Sequence, residues 1–348
     1  MQQQHVKYCL VILVMSLLAS CVRDKPQTPL KTSVTINTDH KVLITNEGNF
    51  GWGEGTISLY DPISKTVVEN YYSQQNNSAA LGNICQSITK YNNSYYIVMN
   101  NSNKIVVVNT GNFIKTNVIS GFNSPRYLLP ISYHKAYVSD LYANSIQVVD
   151  LNTATITGSV ACFNGTEEMA LVYDKAFITN PNSGYCYVMN TSTDIIVDSL
   201  YIGEGVSSIV VDRYSKLWVL ANGSSTGNQS GRLIRFNPIT LNIEQQFMFT
   251  SHQSRNKLCI NKTRDTLYYL NNGVYQQPIK STSLPVSPLI PQGNKRYYGL
   301  GLNPIDYSIY VADAIDFVQK SKIEIYNPNG NFITGFNAGI ISNGFMFE

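Results

Sequence analysis

The side chains that most often carry catalysis are sparse in this chain of 348 residues. Beyond residue 40 the only histidines are His134 and His252, with His40 at the boundary. That is too few for a histidine-rich metal centre and leaves little basis for a Ser-His-Asp triad. No H-E-x-x-H or P-loop pattern occurs. Oxygen and amide chemistry remains. Glu47, Asn180, Asn271 and Asp313 offer hard oxygen ligands of the kind Ca²⁺ prefers. A wider set, Asn46, Glu47, Asn49, Asn100, Asn101, Asp140, Asn180, Asn222, Asn271 and Asp313, offers amide and carboxylate donors and acceptors. Trp52, Tyr142, Tyr298 and Arg126 stand among them with apolar surface and one guanidinium. Such a mixture suits a large ligand that carries both amides and apolar faces.

Most of these residues recur at one place in a repeat, which is what must position them. A short apolar run, such as Ala136-Tyr137-Val138, leads into an Asn or Asp turn and then a second strand ending in another turn. The second turn falls at residues 61, 109, 150, 190, 237, 277 and 327, giving spacings of 48, 41, 40, 47, 40 and 50. Seven copies of short strands at this period predict the blades of a β-propeller. A further strand precedes the first element in six copies, from Ile84, Tyr127, Met169, Ser208, Lys257 and Tyr298. The first copy lacks it, and Asn343 to Phe347 is left over at the far end. The expected fold is therefore all-β: a seven-bladed propeller over residues 41–348, closed by pairing the C-terminal strand with the N-terminal blade. Closure leaves no open edge and is expected to bury Phe345 and Phe347.

In such a ring the loops after each second strand share a face with the crossovers between blades. The crossovers add Ser124-Pro125-Arg126-Tyr127, Glu167-Glu168 and Arg296-Tyr297-Tyr298 to that face. Glycines around Trp52 (Gly48, Gly51, Gly53) allow a tight loop that exposes the indole. Asn and Asp after strands also serve turns by bonding their own backbone, so each has a purely architectural reading beside the ligand-binding one.

Residues 1–20 read as a lipoprotein signal peptide. An apolar run from Cys9 to Leu18 ends in Leu18-Ala19-Ser20-Cys21, and Cys21 is the expected lipid attachment site. Residues 21–40, with Pro26 and Pro29, read as a flexible tether. Removing residues 1–20 takes away Lys7 alone, leaving 24 basic and 22 acidic residues. With no basic stripe, nucleic acid is not an expected partner. Cys85, Cys162, Cys186 and Cys259 fall in four different repeats without C-x-x-C spacing, and their disulfide state is not legible.

Thr45-Asn46-Glu47-Gly48-Asn49-Phe50, Gly121 to Tyr127, Asn261 to Tyr268, Tyr297 to Leu300 and Tyr310 to Asp316 together resemble Bacteroidetes surface lipoproteins of the YncE-like propeller group. That group includes lipoproteins that capture cobalamin above a TonB-dependent transporter. The resemblance implies a non-catalytic, lipid-anchored protein of the outer membrane, monomeric when free. It would take a corrinoid as transported ligand and bind no cofactor or metal of its own. Two further readings stay open: an interaction or surface-layer scaffold, and a lactonase-like hydrolase using the Ca²⁺ ligands named above. Two tryptophans are too few for the docking motifs of quinoprotein dehydrogenases.

Overall fold

A computed structural model describes residues 40–224, 226, 229–249 and 256–348. The expected signal peptide, Cys21 and the tether up to residue 39 lie outside the described residues, as does His252. The described chain forms seven four-stranded antiparallel sheets. Blade 1 combines Ser342–Phe347 with Val42–Asn46, Thr56–Asp61 and Thr66–Val68. Blades 2 to 7 follow in chain order, their inner strands being Cys85–Tyr91, Pro125–Pro130, Met169–Val172, Val206–Val211, Asn256–Ile260 and Tyr297–Leu302. The C-terminal strand pairs antiparallel with Val42–Asn46, Val42 opposite Phe347 and Ile44 opposite Phe345, so the ring closes as expected.

The strand positions explain the sequence pattern. Second strands are covered on both faces by adjacent blades, so Val42–Asn46, Leu217–Ala221 and Ile309–Asp313 are buried throughout. Outer strands face solvent on one side; Ile195–Tyr201 is mostly exposed. The apolar clusters run between blades. Phe177 of blade 4 packs on Phe236 of blade 5 at 5.9 Å between ring centres. Across the closure, Tyr60 stacks on Phe336 at 4.0 Å, and Tyr310 meets Phe347 at 5.1 Å. Each fully buried Leu, Ile or Val contributes roughly 1.5–3 kcal/mol. Phe345 and Phe347 pack against the cluster at this closure as expected but are not fully buried. An inner strand has a neighbour blade on one flank but also borders the axial channel, and Phe345 lines that channel.

Blade 6 departs from the others. Its outer strand is only Ile290–Pro291. Cys85, Cys162, Cys186 and Cys259 are free thiols. Burial pushes Cys186 up to about 12, so it stays protonated and inert.

Candidate functional site

The Asn and Asp residues that end the second strands act as latches on the crossovers. Asp140, fully buried, accepts backbone N–H bonds from Asn123 (2.9 Å), Ser124 (2.9 Å), Tyr142 (3.0 Å) and Ala143 (3.0 Å). Asn180 donates to the carbonyls of Phe163 (2.7 Å) and Asn164 (3.1 Å) and accepts from the N–H of Ser183 (2.9 Å). Asp313 accepts from the N–H groups of Arg296 (2.8 Å) and Ile315 (2.9 Å). Asn46 donates to Ser58 Oγ (3.0 Å) and accepts from Gly339 N (3.1 Å) and Ser342 Oγ (2.6 Å). Asn100 donates to Ser124 Oγ (2.8 Å) and the Pro125 carbonyl (3.1 Å). Asn46, Asp140 and Asn180 are sealed from solvent, and Asn100 and Asp313 nearly so. The architectural reading of these five therefore describes where the structure places them.

The axis is built by a different device. In six of the inner strands the pairing with the second strand slips by a bulge, leaving Gln86, Arg126 with Tyr127, Ser207, Lys257, Tyr298 and Asn343 without a ladder partner. In blade 4 the same two-against-one arrangement occurs just ahead of the strand. Thr179 accepts from the N–H of Glu167 (2.9 Å) and donates to the carbonyl of Glu168 (3.1 Å). A bulge re-aims the side chain it carries. Here one or two polar side chains per blade line two cavities, of about 170 and 200 Å³, that share Gln86, Tyr127, Glu168 and Lys257. The 170 Å³ cavity also takes in Glu47, Arg126, Glu167 and Tyr298, at the strand ends nearest the crossovers.

The ring has a closed and an open arc. In the closed arc Glu47 Oε1 accepts from Tyr298 OH (2.9 Å) and Asn343 Nδ2 (2.9 Å). Asn343 Nδ2 also donates to the Gln86 carbonyl (2.9 Å). Arg126 Nη1 donates to Gln86 Oε1, while its Nε and Nη2 grip Glu167 at 3.0 and 2.9 Å. Burial pulls the Arg126 pKa down, but the charge and hydrogen bonds of Glu167, together with Tyr127 and Glu47, raise it on balance and the guanidinium stays ionised. Burial, then the charge of Glu47, raises the Tyr298 phenol. In the open arc, Glu168 accepts from Ser208 Oγ (3.2 Å) and Ile209 N (3.2 Å). Its enclosure by protein pushes the carboxyl up to about 7, against the opposing charge of Lys257. Lys257 has no hydrogen bond or ion pair among the described residues.

Around this mouth the loops expose apolar side chains. Trp52 is 95 % exposed, Phe50 71 % and Tyr142 68 %, with Phe163 and Val318 beside other loops of the same face. The Trp52 loop requires its glycine. Gly48 has φ +75°, and a Cβ there would lie 2.3 Å from the Glu54 carbonyl oxygen. Asn49 holds the turn through its carbonyl, which accepts from Trp52 N (3.1 Å) and Gly53 N (2.9 Å). Asn101 donates to Asn83 Oδ1 (2.6 Å) and is exposed beside it. Asn222 bonds the Gly205 carbonyl through its backbone N–H (3.1 Å), and its buried Oδ1 has no partner among the described residues.

Asn271 lies elsewhere, in a larger groove of about 630 Å³ on the flank between blades 5 and 6 that shares no lining residue with the axial cavities. The groove follows from the two-residue outer strand of blade 6.

The sequence singles out Glu47, Arg126 and Tyr298 of the ring, all bonded in the closed arc, and places Glu167 and Glu168 on the crossover face. Gln86, Lys257 and Asn343 were missed as ring residues. The signal was present. Residues 86, 127, 168, 207, 257, 298 and 343 recur every 39 to 50 positions and are all polar or tyrosine. Of the four oxygen ligands that the hydrolase alternative would use, only Glu47 lines one of these two axial cavities. Among the described residues no three His, Cys, Asp or Glu side chains gather closely enough to hold a metal ion.

Residues 41–340 match the family model described as a domain of unknown function, DUF5074. The chain belongs to that family. No curated protein matches it. Among solved structures, a quinonprotein alcohol dehydrogenase-like protein from Bacteroides thetaiotaomicron superposes with TM-score 0.68 at 13% identity, covering 89% of this chain and 78% of that one. A protein from Lactobacillus plantarum gives 0.66 at 12% identity over 89% and 99%. The periplasmic gluconolactonase PpgL of Pseudomonas aeruginosa gives 0.64 at 9% identity over 88% and 98%. At these identities the likeness is one of fold.

Proposed function

We propose that this DUF5074 propeller is a non-catalytic binding protein whose crossover face takes a bulky ligand with amides and apolar surface. A corrinoid such as cobalamin is the ligand class we favour. In this reading Cys21 carries a lipid, the protein sits at the outer membrane, and it hands the ligand to a TonB-dependent transporter. The observation that carries the reading is the pairing of Trp52, Phe50 and Tyr142, exposed on one face, with a polar axial mouth on that same face. Exposed aromatics lie readily against an apolar ring system. A preformed rim held by buried latches loses little ordering entropy on binding. The lactonase reading lacks comparable support, because its four oxygen ligands are dispersed.

Calorimetric titration of the purified protein with cyanocobalamin tests the proposal. The expected result is one-to-one binding, weakened at least about tenfold, near 1.4 kcal/mol, by Trp52→Ala. No heat at ligand concentrations in the tens of micromolar would remove the corrinoid reading and leave the scaffold reading in its place. Release of the protein from the membrane fraction by Cys21→Ser tests the anchor separately.

A further inference from the structure

The axial ring is complete except in one arc. Glu47, Tyr298, Asn343, Gln86, Arg126 and Glu167 satisfy one another around blades 7, 1, 2, 3 and 4. Across blades 4 to 6 the wall instead presents Glu168, the Ser207 hydroxyl and the Lys257 ammonium. Lys257 and Glu168 line the same two cavities, yet they form no ion pair. A donor with no acceptor among the described residues therefore stands near an acceptor with spare lone pairs, with a hydroxyl on the wall shared with them.

The chemistry of that gap selects its occupant. A carboxylate would meet Lys257 but would face the Glu168 carboxylate, and like charges at close range are unfavourable. An ammonium would meet Glu168 but face Lys257. A primary carboxamide answers both, because its oxygen accepts and its nitrogen donates. Its few heavy atoms fit a cavity of about 170 Å³. We infer that the open arc receives a primary carboxamide arm of the ligand, its carbonyl accepting from Lys257 and its NH₂ donating to Glu168. This deepens the proposed function and rests on it for the identity of the larger ligand; the arm's recognition is a property of these residues alone.

Saturation-transfer NMR with millimolar propionamide and propionate, on the whole protein at pH 8, tests the arm without any corrinoid. The expected result is transfer to propionamide well above propionate, abolished by Lys257→Met and by Glu168→Ala and retained by Trp52→Ala. A cooperative melting curve with a midpoint no lower than that of the unmodified protein identifies which of the two axial variants is read. Equal transfer to both probes, or transfer to propionamide that survives in a folded axial variant, would overturn the inference. The cyanocobalamin titration is then repeated with the folded axial variant, and a loss of at least about tenfold is expected. If cobalamin binds with unchanged affinity, the axial arm fails and the binding function stands. If cobalamin does not bind while propionamide does, the function fails and the axial site stands.

Discussion

The two arcs of the axial ring are built from the same device and end in opposite conditions. Both use a bulged residue at the start of each inner strand. In the closed arc the carboxylates have partners of matching chemistry within about 3 Å, so that wall is internally satisfied and rigid. In the open arc Glu168 is held by a hydroxyl and one N–H, and Lys257 is held by nothing among the described residues. Folding accounts for the first arc. The second leaves hydrogen-bonding capacity in an enclosed place, which is where recognition is inferred to occur.

Breaking the closed arc is expected to cost the most. Deleting Asn343 to Glu348 removes Asn343, the inner strand of blade 1 and the ring contacts of Phe345 and Phe347 with Tyr310. Both phenylalanines are packed against the closure cluster but not fully buried, so each contributes somewhat less than the roughly 3–5 kcal/mol of a fully buried one. With the lost ladder the expected destabilisation is at least about 4 kcal/mol, read by urea unfolding, with association through the freed edge read by light scattering. An unaltered unfolding midpoint and a monomer would contradict closure.

Arg126→Ala comes next. It leaves Glu167 enclosed without its bidentate partner, which costs about 3 kcal/mol or more. Lys257→Met, in the open arc, is expected to change the same unfolding midpoint by no more than about 0.5 kcal/mol. Equal losses in the two variants would erase the distinction between the arcs.

The pH dependence sharpens it further. Glu168 ionises at about 7 in the folded protein against an ordinary 4.5. The unfolded chain therefore loses this proton more easily, so the group lowers stability as pH rises from about 4.5 to about 7, with no further change above. Glu168→Gln removes the effect. At pH 8 it is expected to be more stable than the unmodified protein by on the order of 1–3 kcal/mol, and at pH 4 indistinguishable from it. A gain of the same size at both pH values would show that burial does not govern this carboxyl. The smallest effect is that of Trp52→Ala on stability. With 95 % of its surface exposed, its removal should move the midpoint by less than about 0.5 kcal/mol.

The ring of blades was legible because strand-ending turns repeat at a fixed period, and Asn46, Asp140 and Asn180 mark that period faithfully. The same residues drew attention as ligand contacts, although the fold uses their side chains to hold the crossovers. Lys257 was illegible for a local reason. A bulge breaks the alternation of inward and outward residues, so a lysine in an apolar strand reads as solvent-facing until the register slip beside Leu258 is known. Arg126 was found, but its partner Glu167 lies 41 residues away in another blade, a distance along the chain that only the closed ring brings together.

The central claim is that ligand sits on the crossover face over the axial mouth. Hydrogen–deuterium exchange of the whole protein, with and without saturating cyanocobalamin, tests it most directly. The account predicts slowed exchange in the Gly48–Gly55 loop and at the bulged inner-strand ends around residues 257 and 298, with the opposite-face turns at 131–134 and 212–216 unchanged. Protection confined to those opposite turns, or to the flank between blades 5 and 6, would contradict it.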